Sequence, residues 1–177
     1  MSGTGVERSI AAAMLLSTPV PDILISRDGR HVGVTMPTAE GAGLLSLRDA
    51  RSDYARENLM ELASVKADPV PMAQWHSANC STEFCVMTIE RGGRVWTLLM
   101  ARNKVRIEER ALAAACERAD IVVADRWLPA TCKPRWLKAD GRFLAKSGGL
   151  AIVLEKEQIH RVADHQGQHG WWRAEHD

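Results

Sequence analysis

The chain has 177 residues, 46% of them hydrophobic and 25% charged, the proportions of an ordinary globular protein and enough length for one domain with a sizeable core. Its net charge of +1 hides an uneven distribution: residues 1–90 carry 7 basic and 11 acidic side chains, residues 91–147 carry 13 and 6, and residues 148–177 carry 3 and 5. The apolar run Ile10 to Leu16 is far too short for a membrane span of roughly 20 residues, and it lacks the basic start and cleavage site of a signal peptide.

In chain order, residues 9–17 are apolar and helix-permissive and stop before Pro19 and Pro21. Ile23 to Ile25 is a short strand, Asp28-Gly29 a strong hairpin turn, and His31 to Met36 the returning strand. A second turn at Gly41 to Gly43 leads into a third strand, Leu44 to Leu47, which makes an antiparallel meander. Ser52 or Asp53 caps a helix to about Ser64, with Tyr54, Ala55, Leu59, Leu62 and Ala63 at helical spacing. Pro69 and Pro71 close that unit, and Trp75, His76 and Cys80 fall in a loop. Cys85 to Glu90 and Arg94 to Met100 form a hairpin across Arg91-Gly92-Gly93. Glu108 to Arg118 is a helix with Ala111, Leu112, Ala115 and Cys116 inward. A buried strand follows over Asp120 to Ala124, then a loop, then a short helix from Asp140 to Ser147 ending at Gly148-Gly149. Leu150 to Leu154 and Gln158 to Ala163 make the last hairpin. The pattern reads as a mixed α+β domain over residues 21–165, a layered sheet of antiparallel hairpins with two to three helices. Residues 1–20 precede it, and residues 166–177 form a polar tail with Trp171 and Trp172.

The four cysteines, Cys80, Cys85, Cys116 and Cys132, contain no Cys-x-x-Cys pair, which argues against a structural zinc site. An even number allows two disulfides in three connectivities. Cys80 and Cys85 can close a tight loop, and Cys116 and Cys132 can meet across the next strand, which implies an oxidising compartment. Four reduced, buried thiols are the other reading.

The stretch Ala119 to Lys138 concentrates the chemistry. The apolar run Ile121 to Val123, between Asp120 and Asp125, suits a central strand covered on both faces. The loop after it holds Pro129, Pro134, Trp127, Trp136 and four basic residues. Trp127 and Trp136 interleaved with Arg126, Lys133, Arg135 and Lys138 match an interface in which rings stack on bases while cations hold phosphates. The competing reading places both tryptophans at the edge of the core. A segment of net +7 can likewise face an anionic partner or spread its charge over a solvated surface. Asp120 and Asp125 offer carboxylates to a cation, or to helix caps and arginines. His165, His169 and His176 beside Asp164 have metal-like spacing, but Gly167 and Gly170 argue against the helix it needs. Gly-x-Ser-x-Gly, glycine-rich phosphate loops and His-Glu-x-x-His are absent. No cofactor and no small-molecule substrate are expected.

Read together, Pro21 to His31, Gly43-Leu44-Leu45, Asp53-Tyr54, the Cys80 and Cys85 pair, Ala113 to Val123, Pro129-x-x-Cys132, Pro134 to Lys138, Gly148 to Ile152 and His169 to Trp172 resemble the soluble C-terminal region of the ComEC family. These are inner-membrane channel proteins of bacterial DNA uptake, and the form resembled is alphaproteobacterial. The resemblance spans roughly residues 15–173. It implies a shortened metallo-β-lactamase-like fold, a membrane channel part as partner, DNA as a possible ligand, and the periplasmic face of the inner membrane. The His-x-His-x-Asp-His motif of a two-metal hydrolase is missing here, so the resemblance implies a non-catalytic, DNA-contacting domain. Two alternatives stand beside it: a divergent metal-dependent nuclease with Asp120, Asp125 and His31 as ligands, and a structural or relic fragment.

Overall fold

The computed structural model describes residues 19–39, 41–48 and 53–165; the apolar segment 9–17, the candidate cap Ser52, and the tail with His169, Trp171, Trp172 and His176 lie outside them. The first strands are β1 (Ile23–Ile25), β2 (Val32–Thr38) and β3 (Gly41–Ser46), followed by helix α1 (Asp53–Leu62) and the two-residue strand β4 (Val70–Pro71). A 3-10 turn at Met72–Gln74 leads to β5 (Ala78–Cys80), β6 (Phe84–Arg91) and β7 (Arg94–Ala101). Helix α2 (Glu109–Arg118) carries the chain to β8 (Ile121–Val123) and β9 (Leu137–Ala139). Helix α3 (Gly141–Ser147), strands β10 (Leu150–Val153) and β11 (Gln158–Arg161), and helix α4 (Val162–His165) complete it. No helix among the described residues is long and apolar enough to cross a membrane.

These strands form two sheets, in the orders β11-β10-β1-β2-β3-β4 and β5-β6-β7-β8-β9. Strand alternation sorts the apolar residues into layers. Ile23, Ile25, Val34 and Leu45 of the first sheet and Met87, Trp96, Leu98, Met100, Ile121 and Val123 of the second share one core between the sheets. Leu24 and Leu44 point the other way and meet Leu59 and Ala63 at α1. Leu99 and Val122 point outward from the second sheet and meet Leu112 and Cys116 of α2. The result is four layers, helix, sheet, sheet and helix, which matches the layered α+β expectation. At one end Arg91 clasps the two sheets: its Nε lies 2.6 Å from Asp22 Oδ1 and its Nη2 donates to Thr35 O at 2.8 Å. Asp22 Oδ2 in turn accepts from Leu154 N at 2.8 Å.

Several local expectations change. Thr38 pairs with Gly41, so the β2–β3 reversal falls before Gly41 and residues 41–43 belong to β3. Val70-Pro71 is not merely a breaker: it adds a parallel edge strand beside β3, a position where a missing proline N–H costs no ladder bond. Cys80 lies in a strand, not a loop, in register with Cys85. The second sheet is not all hairpins, because α2 returns the chain so that β7, β8 and β9 run parallel. Strand β9 was hidden inside the presumed loop. Tyr54, Leu62 and Ala111 are exposed rather than inward.

Both disulfides form, Cys80–Cys85 and Cys116–Cys132, and no cysteine is left free. The second ties the end of α2 to the loop after β8. Glu108 caps α2 by accepting from Arg110 N and Ala111 N, each at 3.2 Å, and Asp140 caps α3 through Phe143 N at 3.0 Å.

Candidate nucleic-acid interface

Because β7, β8 and β9 are parallel, their carboxyl ends open on one edge of the sandwich, where loops of α/β sheets gather ligand groups. Three segments meet there: the chain after Ala101, the chain after Val123, and Asp140-Gly141. The β1–β2 turn is seated against them. Gly29 holds φ +66°, and a Cβ at that position would stand 2.8 Å from Ala124 O and 2.9 Å from Leu144 Cδ1, so only glycine lets the turn approach β8 this closely. The turn thereby delivers Arg27, Arg30 and His31 to a basin of about 670 Å³, opposite Lys104 and Asp125.

Charge in this basin is fixed at its floor and free at its rim. Asp125 is the floor group, its side chain only 2% exposed. Its Oδ2 pairs with Arg48 Nη1 at 3.1 Å, and Arg48 Nη2 donates to Ala101 O at 2.9 Å. Asp125 Oδ1 and His31 Nδ1 are buried without a hydrogen-bond partner among the described residues. Arg126 lies partly buried beside them and donates through Nη1 to Asn103 O. Burial pulls its guanidinium below the ordinary value, Asp125 opposing the fall and Arg48 adding to it. For the Asp28 carboxyl, burial alone would raise the pKa. The Ser26 hydroxyl at 2.5 Å, the Arg30 amide at 3.0 Å and the charges of His31 and Arg30 outweigh it and hold the group below its ordinary 3.8. Arg27, Arg30 and Lys104 make no ion pair among the described residues.

A second groove, of about 480 Å³, adjoins the first at Lys104 and continues past Arg106, Arg126 and Trp127 to Pro129. Trp127 stands 57% exposed on its wall. The two grooves together form a track that brings Arg27, Arg30, Lys104, Arg106 and Arg126 beside the exposed ring of Trp127, with the carboxylates of Asp28, Asp125 and Glu109 among them; cations around an aromatic ring are the combination that holds single-stranded nucleic acid without reading its sequence.

The six residues nominated from sequence are divided by this geometry. Arg126 and Trp127 line the track. Trp136 is half-buried against the inter-sheet core, with its ring 5.0 Å from that of Trp96, so it fills the core edge and offers no stacking face there. Arg135 turns toward Asp120 at 3.5 Å and donates to Arg118 O. Lys138 Nζ donates to Pro129 O at 2.9 Å, and Lys133 is exposed away from the track. Sequence reasoning missed Arg27, Arg30, Lys104 and Arg106. The available signal was their position in the turn after β1 and the loop after β7.

Asp120 and Asp125 cannot share one ion. They sit at opposite ends of β8, on the order of 16 Å apart along an extended strand. Asp120 is committed to Arg94 Nη2 at 3.2 Å, to Arg135, and to Thr97 N at 2.8 Å. Among the described residues no group of three or more His, Cys, Asp or Glu side chains is placed to hold a metal.

No family model, no curated protein and no solved structure matches this chain.

Proposed function

We propose that the chain is a non-catalytic, DNA-contacting domain of a ComEC-like uptake protein, related to the shortened metallo-β-lactamase-like region of that family. The observation that carries the DNA reading is the continuous track from Arg27 and Arg30 through Lys104 to Arg106, Arg126 and Trp127. Single-stranded DNA supplies what the track lacks, namely phosphates for its unpaired cations and a base face for Trp127. The two disulfides are compatible with a periplasmic setting. In that setting the partner is the membrane channel part, and the domain holds the strand at the channel mouth.

The test is a binding titration of labelled single-stranded DNA at several salt concentrations. Affinity should fall steeply with salt, by about 0.7 in the logarithmic slope for each phosphate contact. Lys104→Ala and Arg106→Ala should each flatten that slope by one such contact. Trp127→Ala should cost about 1–3 kcal/mol with the slope unchanged. Absence of binding at low salt sinks the reading. Cleavage that Mn²⁺ or Mg²⁺ supports and chelator abolishes would instead favour the divergent nuclease.

A further inference from the structure

The two disulfides differ in what surrounds them. Cys116 and Cys132 are both closed into the core beneath α2, at 0% and 1% exposure. Cys85 is buried as well, but its partner Cys80 is half-buried on the edge strand β5. Cys80 lines a surface groove of about 560 Å³ together with Arg48, Ser81, Thr82 and Arg102. The nucleophile that opens a disulfide is a thiolate, an anion that must reach one of the two sulfurs. A bridge reached by a groove with two guanidinium groups in its walls therefore meets that nucleophile first. Cys116–Cys132, enclosed on both sides, does not.

The turn that this bridge closes is a clamp on the chain leaving β7. Arg102 N donates to Glu83 O at 2.8 Å, Arg102 Nη1 to Ser81 O at 2.6 Å, and Asn103 Nδ2 to Thr82 O at 2.9 Å. Asn103 O in turn accepts from Arg126 Nη1, and the Arg126 guanidinium lies 5.6 Å from the centre of the Phe84 ring. Each residue from Ser81 to Phe84 thus bears on Arg102, Asn103 or Arg126. Lys104, which lines both grooves of the cationic track, is the next residue along the chain. Without the bridge the turn is anchored through β5, an edge strand of three residues, and short edge segments are the ones that open locally at least cost.

We infer that Cys80–Cys85 is a redox-sensitive clasp: a dithiol opens it through the groove of Arg48 and Arg102, and the opening loosens the segment Arg102 to Lys104 that positions the track. The first thiolate of the dithiol attacks Cys80 Sγ. A sulfur–sulfur bond forms there as the bond to Cys85 breaks, and the electron pair leaves on Cys85 Sγ, which takes a proton from solvent. The second thiolate attacks the reductant sulfur now bound to Cys80, and Cys80 Sγ leaves with its electron pair and is protonated in turn. The protein disulfide gains two electrons and two protons, and the dithiol becomes a disulfide. The consequence for DNA rests on the function proposed above; the opening of the clasp does not.

Thiol mapping on the full oxidised chain tests it. Under native conditions with dithiothreitol, followed by alkylation and peptide mass analysis, Cys80 and Cys85 should label at least about tenfold faster than Cys116 and Cys132. A monothiol should be trapped as a mixed disulfide on Cys80 and not on Cys85. Relative to their rates with an unstructured disulfide peptide, a negatively charged monothiol should outpace a neutral one until high salt removes the difference. Hydrogen exchange in residues 81–84 and 102–104 should quicken on reduction while residues 112–123 stay unchanged. The double variant Cys80→Ser, Cys85→Ser should show the quickened exchange without reductant and no further change with it. Equal labelling of the two bridges, a monothiol adduct on Cys85, or unchanged exchange over residues 102–104 in the reduced chain would each overturn the inference. Single-stranded DNA should bind the reduced chain at least about threefold more weakly, because a loosened cation must be ordered again on binding. Equal binding by both forms would overturn the link between clasp and track. If neither form binds, the DNA reading fails, and the labelling and exchange results still decide the clasp.

Discussion

Over the second sheet, α2 and the loop that follows β8 are stapled to one another by Cys116–Cys132, and Leu112, Leu128, Leu99 and Val122 are all buried beneath them. Over the first sheet, among the described residues, α1 and Ala63 just beyond it pack on Leu24 and Leu44, with Leu59 buried and Tyr54 and Leu62 exposed. One outer layer is closed by a covalent bond and a packed loop. Among the described residues the other carries the ten-residue α1 over part of its face. The closed layer also positions the carboxyl ends of β7, β8 and β9, from which the cationic track is built. A covalent restraint therefore lies under the candidate interface.

The largest expected effect breaks the closed layer. The double variant Cys116→Ala, Cys132→Ala opens a ring of 16 residues' separation and should lower unfolding free energy by about 3 kcal/mol in a urea titration. The same treatment of Cys80 and Cys85, only 5 apart, should cost less, because a short ring restrains the unfolded chain less. Equal losses from the two pairs would mean that the staple over α2 has no special role.

Next comes a matched pair of truncations. Leu112→Ala, beneath α2, should cost about 3 kcal/mol, and Leu59→Ala, beneath α1, about 2 kcal/mol by the same titration. Both leucines are buried to a similar degree, 6% and 8% exposed. The difference should arise from the open layer's freedom to relax into the space left behind. A larger loss at Leu59 would show that α1 is as firmly held as α2.

The smallest effect concerns the β1–β2 turn. The Asp28 carboxyl is held below its ordinary 3.8, so it binds its proton less readily folded than unfolded. Its contribution to stability is present above pH about 4 and is lost as pH falls through the lowered folded value. Asp28→Asn should destabilise the chain slightly at pH 7, and the difference from the parent should vanish near pH 2. A difference that persists in acid would locate the effect in the turn geometry and not in the charge.

How far the sequence discloses this molecule depends on the range of the interactions. The strands Ile23–Ile25, Phe84–Arg91 and Ile121–Val123 were legible because their apolar runs and turn glycines are local signals. The helices beginning near Glu108 and Asp140 were legible for the same reason, although the capping by these two side chains was not. Strand β9 was not, because three residues inside a proline-rich loop become a strand only when Leu137 N and Trp136 N find Asp120 O, both at 2.9 Å. The parallel pairing of β7 with β8 depends on where α2 sends the chain, a tertiary fact. At the candidate interface, composition singled out the segment after β8 but could not separate Trp127 from Trp136. Both sit among cations, and only packing against Trp96 shows that one of them belongs to the core. Arg27 and Lys104 are 77 residues apart in sequence and share a basin because Gly29 lets the turn lie on β8, a contact no local pattern announces.

The position of β1 has a mechanical consequence. The chain enters the fold at a strand bonded on both sides, to β10 and β2, directly beside the Asp22–Arg91 clasp. Toward its carboxyl end the described chain passes through β11, an edge strand whose ladder among the described residues is with β10, and then α4. A machine that pulls from the amino end must rupture two ladders and the clasp at once, whereas one that pulls from the carboxyl end meets the short α4 and then a single ladder, that of β11 with β10. Tagged for degradation at either terminus, the protein should resist an ATP-driven protease longer from its amino end, which makes its resistance to unfolding a property with a direction.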